Sequence, residues 1–195
     1  RVAAVTLTGS EAAGAQVAEA AGRALKKTVL ELGGSDPFVI LGDADVPAIT
    51  PLAVRARFVN TGQSCLCAKR FVVDAAVIAD FESRVGEAVA ALHIGDPLSD
   101  ETKIGPLAKP SFVDDIDKQV QESLAMGARL ITGGHRIDGP GNYYAPTVLA
   151  DVTPEMPVFN QETFGPVMAI VKAHGAQEAI ELADASQYGL AASIW

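Results

Sequence analysis

Cysteine is nearly absent from this chain: Cys65 and Cys67 are the whole supply in 195 residues. Two thiols separated by a single residue cannot staple distant segments, which excludes a disulfide-framed secreted scaffold and makes the cytosol the default compartment. Histidine is almost as scarce, and His93, His135 and His174 show no metal-ligand spacing, so they read as surface residues and no metal is expected. Positive charge is in deficit. Fifteen Lys and Arg against 24 Asp and Glu leave a net charge of −9, and no basic run is interleaved with aromatics, which excludes nucleic acid as a partner. No apolar run is long enough to cross a bilayer and none reads as a secretory leader, so no membrane partner is expected. Internal repeats and low-complexity tracts are missing as well.

What remains is a chain of ordinary domain length in which short apolar strands alternate with helices of ten or more residues. Val2–Leu7, Thr28–Leu32, Pro37–Leu41, Phe71–Val73, Ala128–Thr132, Tyr143–Leu149, Pro166–Val171 and Ala191–Trp195 read as strands. Between them, Glu11–Leu25 is Ala-rich and helical with Ser10 as its N-cap. Asp43 and Asp45 can cap a second helix, whose regular part Pro51 confines to about 50–60. Val77, Phe81, Val85, Val89 and Leu92 mark one face of a third helix behind Asp74, while Phe112, Ile116, Val120 and Leu124 mark a fourth that stops at Gly127. A helix over 176–185 completes the set. Such alternation predicts an α/β fold with a largely parallel sheet flanked by helices.

Chemistry concentrates at Phe58–Arg70, which holds both cysteines. Gly62 supplies a turn, and a cysteine just beyond it can sit at a helix start, where free N–H groups favour the reactive thiolate. Two buried structural cysteines explain the same stretch equally well. In an extended segment Cys67 points the same way as Cys65, so packing and a reversible, strained disulfide are both open to it. Glu31 ends a strand beside Gly33-Gly34, either as a pocket-facing carboxylate or as a solvated edge charge. Gly9-Ser10 opens a helix, as an anion site or as a plain cap. Glu162 and Phe164 lie in a turn with a packed aromatic.

Phe-x-Asn-x-Gly-Gln-x-Cys, with Arg70 five residues after Cys65, resembles the catalytic-cysteine signature of the aldehyde dehydrogenase superfamily. Leu30-Glu31-Leu32-Gly33-Gly34 upstream and Gln161-Glu162-Thr163-Phe164-Gly165-Pro166 downstream resemble two further motifs of that family, in the family's order. The likeness runs from about Val5 to Trp195. The wording of Gly34-Ser35-Asp36-Pro37-Phe38 and Gly141–Leu149 is most similar to the bacterial succinate-semialdehyde branch.

The resemblance implies oxidation of an aldehyde to an acid with NAD or NADP. Cys65 would be the nucleophile and its N–H an oxyanion donor, Glu31 the base that activates water, Glu162 and Phe164 the ribose and nicotinamide contacts. Gly9 and Ser10 would meet the cofactor pyrophosphate, and Leu32 would belong to the cofactor site. It implies an aldehyde dehydrogenase catalytic-domain fold over 31–195, preceded over 1–30 by the tail of a Rossmann-like cofactor domain. It also implies a fragment of a longer enzyme that forms a homodimer or homotetramer, inactive as this piece alone. Two departures stand out. Val59 occupies the position six before Cys65 where many succinate-semialdehyde enzymes carry a carboxylate-binding Arg, and Ser35 follows the paired glycines where many members carry a basic or amide residue. The same chemistry on another aldehyde, and a non-catalytic or redox-regulated piece using Cys65-x-Cys67, are the alternatives.

Overall fold

In the computed structural model, which describes residues 2–195, the chain forms two compact units that meet in sequence at Gly34-Ser35. In the first, strands β1 (Ala4–Thr8) and β2 (Lys27–Glu31) pair in parallel, Thr8 opposite Glu31, and helix α1 (Glu11–Arg23) connects them. Ser10 caps α1 as expected, its Oγ accepting from the Ala13 N–H at 3.3 Å. Acidic Glu11 in the first turn and basic Arg23 in the last complement the helix dipole. Gly14 is on the face of α1 that meets Leu32. A Cβ there would stand 2.6 Å from Leu32 Cδ2, so a larger residue would push the end of the Leu32 side chain aside.

The second unit is built on a six-stranded sheet. In chain order its elements are β3 (Asp36–Ile40), α2 (Val46–Phe58), β4 (Ala68–Asp74), α3 (Ile78–Ala90), α4 (Pro110–Ala125), β5 (Arg129–Thr132), β6 (Thr147–Ala150), the short α5 (Pro157–Asn160), β7 (Val167–Ala173), α6 (Ala176–Asp184) and β8 (Ser193–Ile194). The spatial order is β5-β6-β7-β4-β3-β8, parallel throughout except for the β5/β6 edge pair. The expected largely parallel α/β sheet is therefore present. Side chains alternate across it: Phe71, Val73, Met168 and Ile170 pack with Phe81, Val85 and Val89 of α3, while Leu149, Val167 and Ala169 pack with Ile116 and Val120 of α4. A parallel sheet covered on both faces needs apolar residues at successive positions, which is why the strands read as unbroken apolar runs.

Three local expectations change. Helix α2 begins at Val46, capped by Asp45 (Oδ1 to the Ala48 N–H, 3.2 Å), and it carries Pro51 inside it. Burial of Val46, Ile49 and Ala53 offsets the one hydrogen bond that Pro51 cannot make. Asp74 does not cap α3. It ends β4 and accepts from the N–H of Ala76 (2.8 Å) and of Gly175 (3.0 Å), tying the end of β4 to the start of α6. The Tyr143–Leu149 strand shortens to Thr147–Ala150, because Pro146 cannot donate to a ladder and Tyr144 makes only an isolated bridge to Arg136.

Candidate functional site

The approach to Cys65 is a strained turn. After α2 the chain passes through Asn60 (φ 52°), Thr61 (φ 57°) and Gly62 (φ 74°), three successive residues in the left-handed region. Asparagine tolerates this region, but a β-branched residue does not. Thr61 is held there because its Oγ1 accepts the Gly105 N–H at 3.0 Å. Gly62 has no substitute, since a Cβ would lie 2.3 Å from the Gly165 carbonyl oxygen. Gln63 continues the anchoring. Its Oε1 accepts from the Ala108 N–H (2.9 Å), and its own carbonyl takes the Asn60 Nδ2 (2.9 Å). Residues 105–108 thus brace the turn that delivers Cys65.

Cys65 is not at a helix start. It lies in a turn closed by the Cys67 N–H on the Ser64 carbonyl (3.2 Å), and the chain runs from there straight into β4. No helix dipole is available to it. What stands beneath the turn is the ammonium of Lys69. Its side chain is fully buried, and Nζ donates to the carbonyls of Ser64 (3.2 Å), Cys65 (3.1 Å) and Cys67 (3.1 Å). Three donors meet three acceptors. The same nitrogen lies 3.8 Å from Glu162 Oε1, whose side chain keeps 22% of its exposure. Burial and the neighbouring Arg57 push Lys69 below the ordinary lysine range, while Glu162, Cys67 and Asp36 pull the other way.

Arg57 is the second buried cation. It donates to the carbonyls of Ala68 (3.2 Å), Thr163 (2.9 Å) and Gly165, joining the start of β4 to the Glu162–Gly165 turn. Desolvation drives its pKa down to about 10. Arg70 is the third, with donors on Ser35 (2.9 Å), Leu182 (2.9 Å) and Ala183 (3.0 Å) and its guanidinium 5.0 Å from the Phe159 ring centroid. Sequence reasoning missed Lys69 altogether and gave Arg57 no task. The available signal was position: Lys69 and Arg70 immediately precede Phe71-Val72-Val73, in a strand whose first six residues are all buried.

The predicted residues therefore fall into two sets. In the second unit, Cys65 and Glu162 are brought together through Lys69. Phe164 packs edge-on to Phe112, with centroids 5.7 Å apart, and both line a cavity of ≈ 260 Å³ with Glu162 and Gln119. Gln119 Nε2 also holds the Glu162 carbonyl at 3.2 Å. Cys65 is half-buried. Cys67 is sealed, its thiol directed at the Val59 carbonyl (3.5 Å), and both cysteines are free thiols. In the first unit, Glu31 is exposed at the end of β2, and its carbonyl takes the Gly9 N–H at 3.0 Å. Gly9 accordingly has no N–H left for an anion, whereas Ser10 keeps its hydroxyl proton while serving as cap acceptor. Leu32 is half-buried against Gly14. The three histidines are exposed, and among the described residues no cluster of His, Cys, Asp and Glu could hold a metal ion. Among the described residues no helix is long and apolar enough to cross a membrane.

Comparison with known proteins gives this geometry a context. The sequence model of the aldehyde dehydrogenase family matches residues 1–195. A succinate semialdehyde dehydrogenase (NAD(P)+) of Escherichia coli K12 is 52% identical over the whole chain, which spans 42% of that protein. A probable succinate-semialdehyde dehydrogenase (NADP+) of Synechocystis is 51% identical, with 43% of its length covered. Among solved structures, lactaldehyde dehydrogenase from Escherichia coli superposes with a TM-score of 0.96 at 38% identity, over 100% of this chain and 41% of that one. A Mycobacterium tuberculosis aldehyde dehydrogenase complexed with NAD+ gives 0.96 at 36% identity, again over 100% and 41%.

Proposed function

From the premise that this chain belongs to the aldehyde dehydrogenase family, we propose that it carries the catalytic residues of an NAD(P)-dependent oxidation of an aldehyde to a carboxylic acid, with succinate semialdehyde as the substrate. The observation that carries this reading is the single ammonium on which the Cys65 turn and the Glu162 carboxylate meet. Similarity to succinate-semialdehyde dehydrogenases over the full chain supports the substrate. The substrate carboxylate is then held by a cation other than Arg57 or Lys69, because both are buried and committed to backbone carbonyls. Residues up to about 30 belong to the cofactor-binding part and 31–195 to the catalytic part. The reaction is placed in the cytoplasm, in a homodimer or homotetramer.

Within each unit the residues suit one part of a dinucleotide. Glu162 offers a partly exposed carboxylate to a ribose diol, and Phe164, braced by Phe112, offers an aromatic face at the same cavity. Ser10 offers a hydroxyl at the N-terminus of α1, with Leu32 beside that helix. When bound, the oxidised nicotinamide supplies the two-electron acceptor for the hydride. The protein's own residues do the rest. The Cys65 thiolate adds to the carbonyl carbon, forming a C–S bond as the π pair moves to oxygen, and the Cys65 N–H meets that oxyanion. Once the adduct has lost hydride it is a thioester. Glu31 then takes a proton from water, the water oxygen bonds to the acyl carbon, and the Cys65 thiolate leaves. Cys67 serves packing.

Rapid mixing of the complete reading frame with aldehyde and NAD(P)+ tests these roles together. Cys65→Ala is expected to give no burst and no turnover, and Cys67→Ala to keep most of both. Glu31→Gln retains the shape but not the basicity of Glu, so it should keep a burst near one equivalent and lose about a hundredfold or more in the steady rate. A dead Cys67→Ala beside an active Cys65→Ala would overturn the assignment. The purified 195-residue chain alone is expected to produce no NAD(P)H.

A further inference from the structure

We propose that Lys69 is a positioning residue for the oxyanion donor: by gripping the Ser64 and Cys65 carbonyls from below, it fixes and strengthens the N–H groups of Cys65 and Leu66 that face the other way. This rests on Cys65 being the nucleophile. The peptide unit is planar and trans, so its C=O and N–H point in opposite directions. With the Ser64 carbonyl directed at Nζ at 3.2 Å, the Cys65 N–H in the same plane is directed away from it. The Cys65 carbonyl at 3.1 Å does the same for the Leu66 N–H. Among the described residues neither N–H donates to a protein acceptor. A cationic donor on the carbonyl of a peptide also draws electron density from its nitrogen, and hydrogen bonds strengthen one another along such a chain.

The turn has no helix to hold its amides in register, and Lys69 supplies that order from within. Glu162 at 3.8 Å and Asp36 offset part of the cost of burying the charge. An anion binding above the turn is therefore met by peptide dipoles fixed before the reaction begins, which is what an oxyanion site needs.

The test compares two reactions of one thiol in the complete polypeptide, neither of which needs a nicotinamide. With p-nitrophenyl acetate, the Cys65 thiolate forms a C–S bond, the carbonyl pair moves to oxygen, and the resulting oxyanion collapses to expel p-nitrophenolate. With iodoacetamide, the thiolate displaces iodide and no oxyanion forms. Lys69→Gln and Lys69→Met should lower the p-nitrophenolate burst rate by about tenfold or more, less than the roughly hundredfold to thousandfold that follows outright loss of an oxyanion donor, because the N–H groups themselves remain. The same variants should leave the alkylation rate within about threefold and the midpoint of its pH profile in place. The proposal is overturned if both rates fall together, which marks Lys69 as a support for the loop or for the thiolate, or if neither falls. It is overturned too if neither variant folds by circular dichroism, because the side chain is then a structural pin. Cys65→Ala separates the two levels: p-nitrophenolate release that survives this change refutes the nucleophile assignment itself.

Discussion

Arginine and lysine behave in opposite ways at the two ends of this domain's polarity scale. Arg129 and Arg136 are about half exposed and pair with carboxylates, Arg129 with Glu82 (2.7 Å) and Asp151 (2.9 Å), Arg136 with Asp114 (2.6 Å) and Asp117 (2.9 Å). Arg57, Lys69 and Arg70 are buried and donate to backbone carbonyls, Arg57 and Arg70 to distant segments and Lys69 to the adjoining turn. The surface cations have partners that water could replace. The buried ones hold backbone carbonyls shut away from water, so they specify backbone geometry. A charge-pair count would rank the two groups in the wrong order.

Removing the deep contact should show this most strongly. Arg57→Met leaves the Thr163 carbonyl without a donor and takes one donor each from Ala68 and Gly165, so urea denaturation is expected to show a loss of about 2 kcal/mol or more. An unchanged midpoint would mean that these carbonyls find water or another partner. A smaller and pH-dependent effect is expected at Asp36, whose carboxyl is raised above 3.8 chiefly by burial, against the opposing pull of the Ala191 N–H, Lys69 and Arg70. A raised acid binds its proton more tightly in the folded state. Its contribution to stability is therefore full below 3.8 and is lost as pH rises through the folded value. Asp36→Asn, which cannot ionise, should gain on the wild type as pH rises across that window, read as a difference in Tm between pH 3.5 and neutrality (about 7). A difference that stays flat or narrows would contradict the sign. Arg129→Ala should be the mildest change, within about 1 kcal/mol in the same urea assay, because exposed pairs contribute little.

Much of this arrangement was legible in the sequence, and what was not has a common cause. The helix faces at Phe81, Val85 and Val89, and at Ile116 and Val120, follow from spacing alone, as do the apolar strands. Ser10 and Asp45 announced their caps. The three motifs located the Cys65 and Glu162 segments. The bond between them was not legible, because hydropathy assigns Lys69 and Arg57 to water, and their burial depends on carbonyls that come close only after folding. Thr61 is similar. Nothing in a β-branched residue suggests a left-handed backbone; the reason lies 44 positions away, at Gly105. Asp74 looked like a helix cap because a carboxylate before a helix usually is one, yet it was needed at the junction of β4 with α6.

The bond from Arg57 to the Thr163 carbonyl spans 106 positions. During synthesis the cysteine segment therefore emerges long before the strand turn that will hold it. At a translation rate of about 5–20 residues per second, that interval lasts on the order of 5–20 s. Through it Gly62 has no Gly165 backbone to rest on, and the left-handed turn has at most the partial brace of residues 105–108, which follow it by 44 to 45 positions. The two sulfurs differ in access to solvent in the folded chain, Cys65 half-buried and Cys67 buried. Oxidants should therefore find both thiols in the nascent chain and Cys65 alone in the finished one.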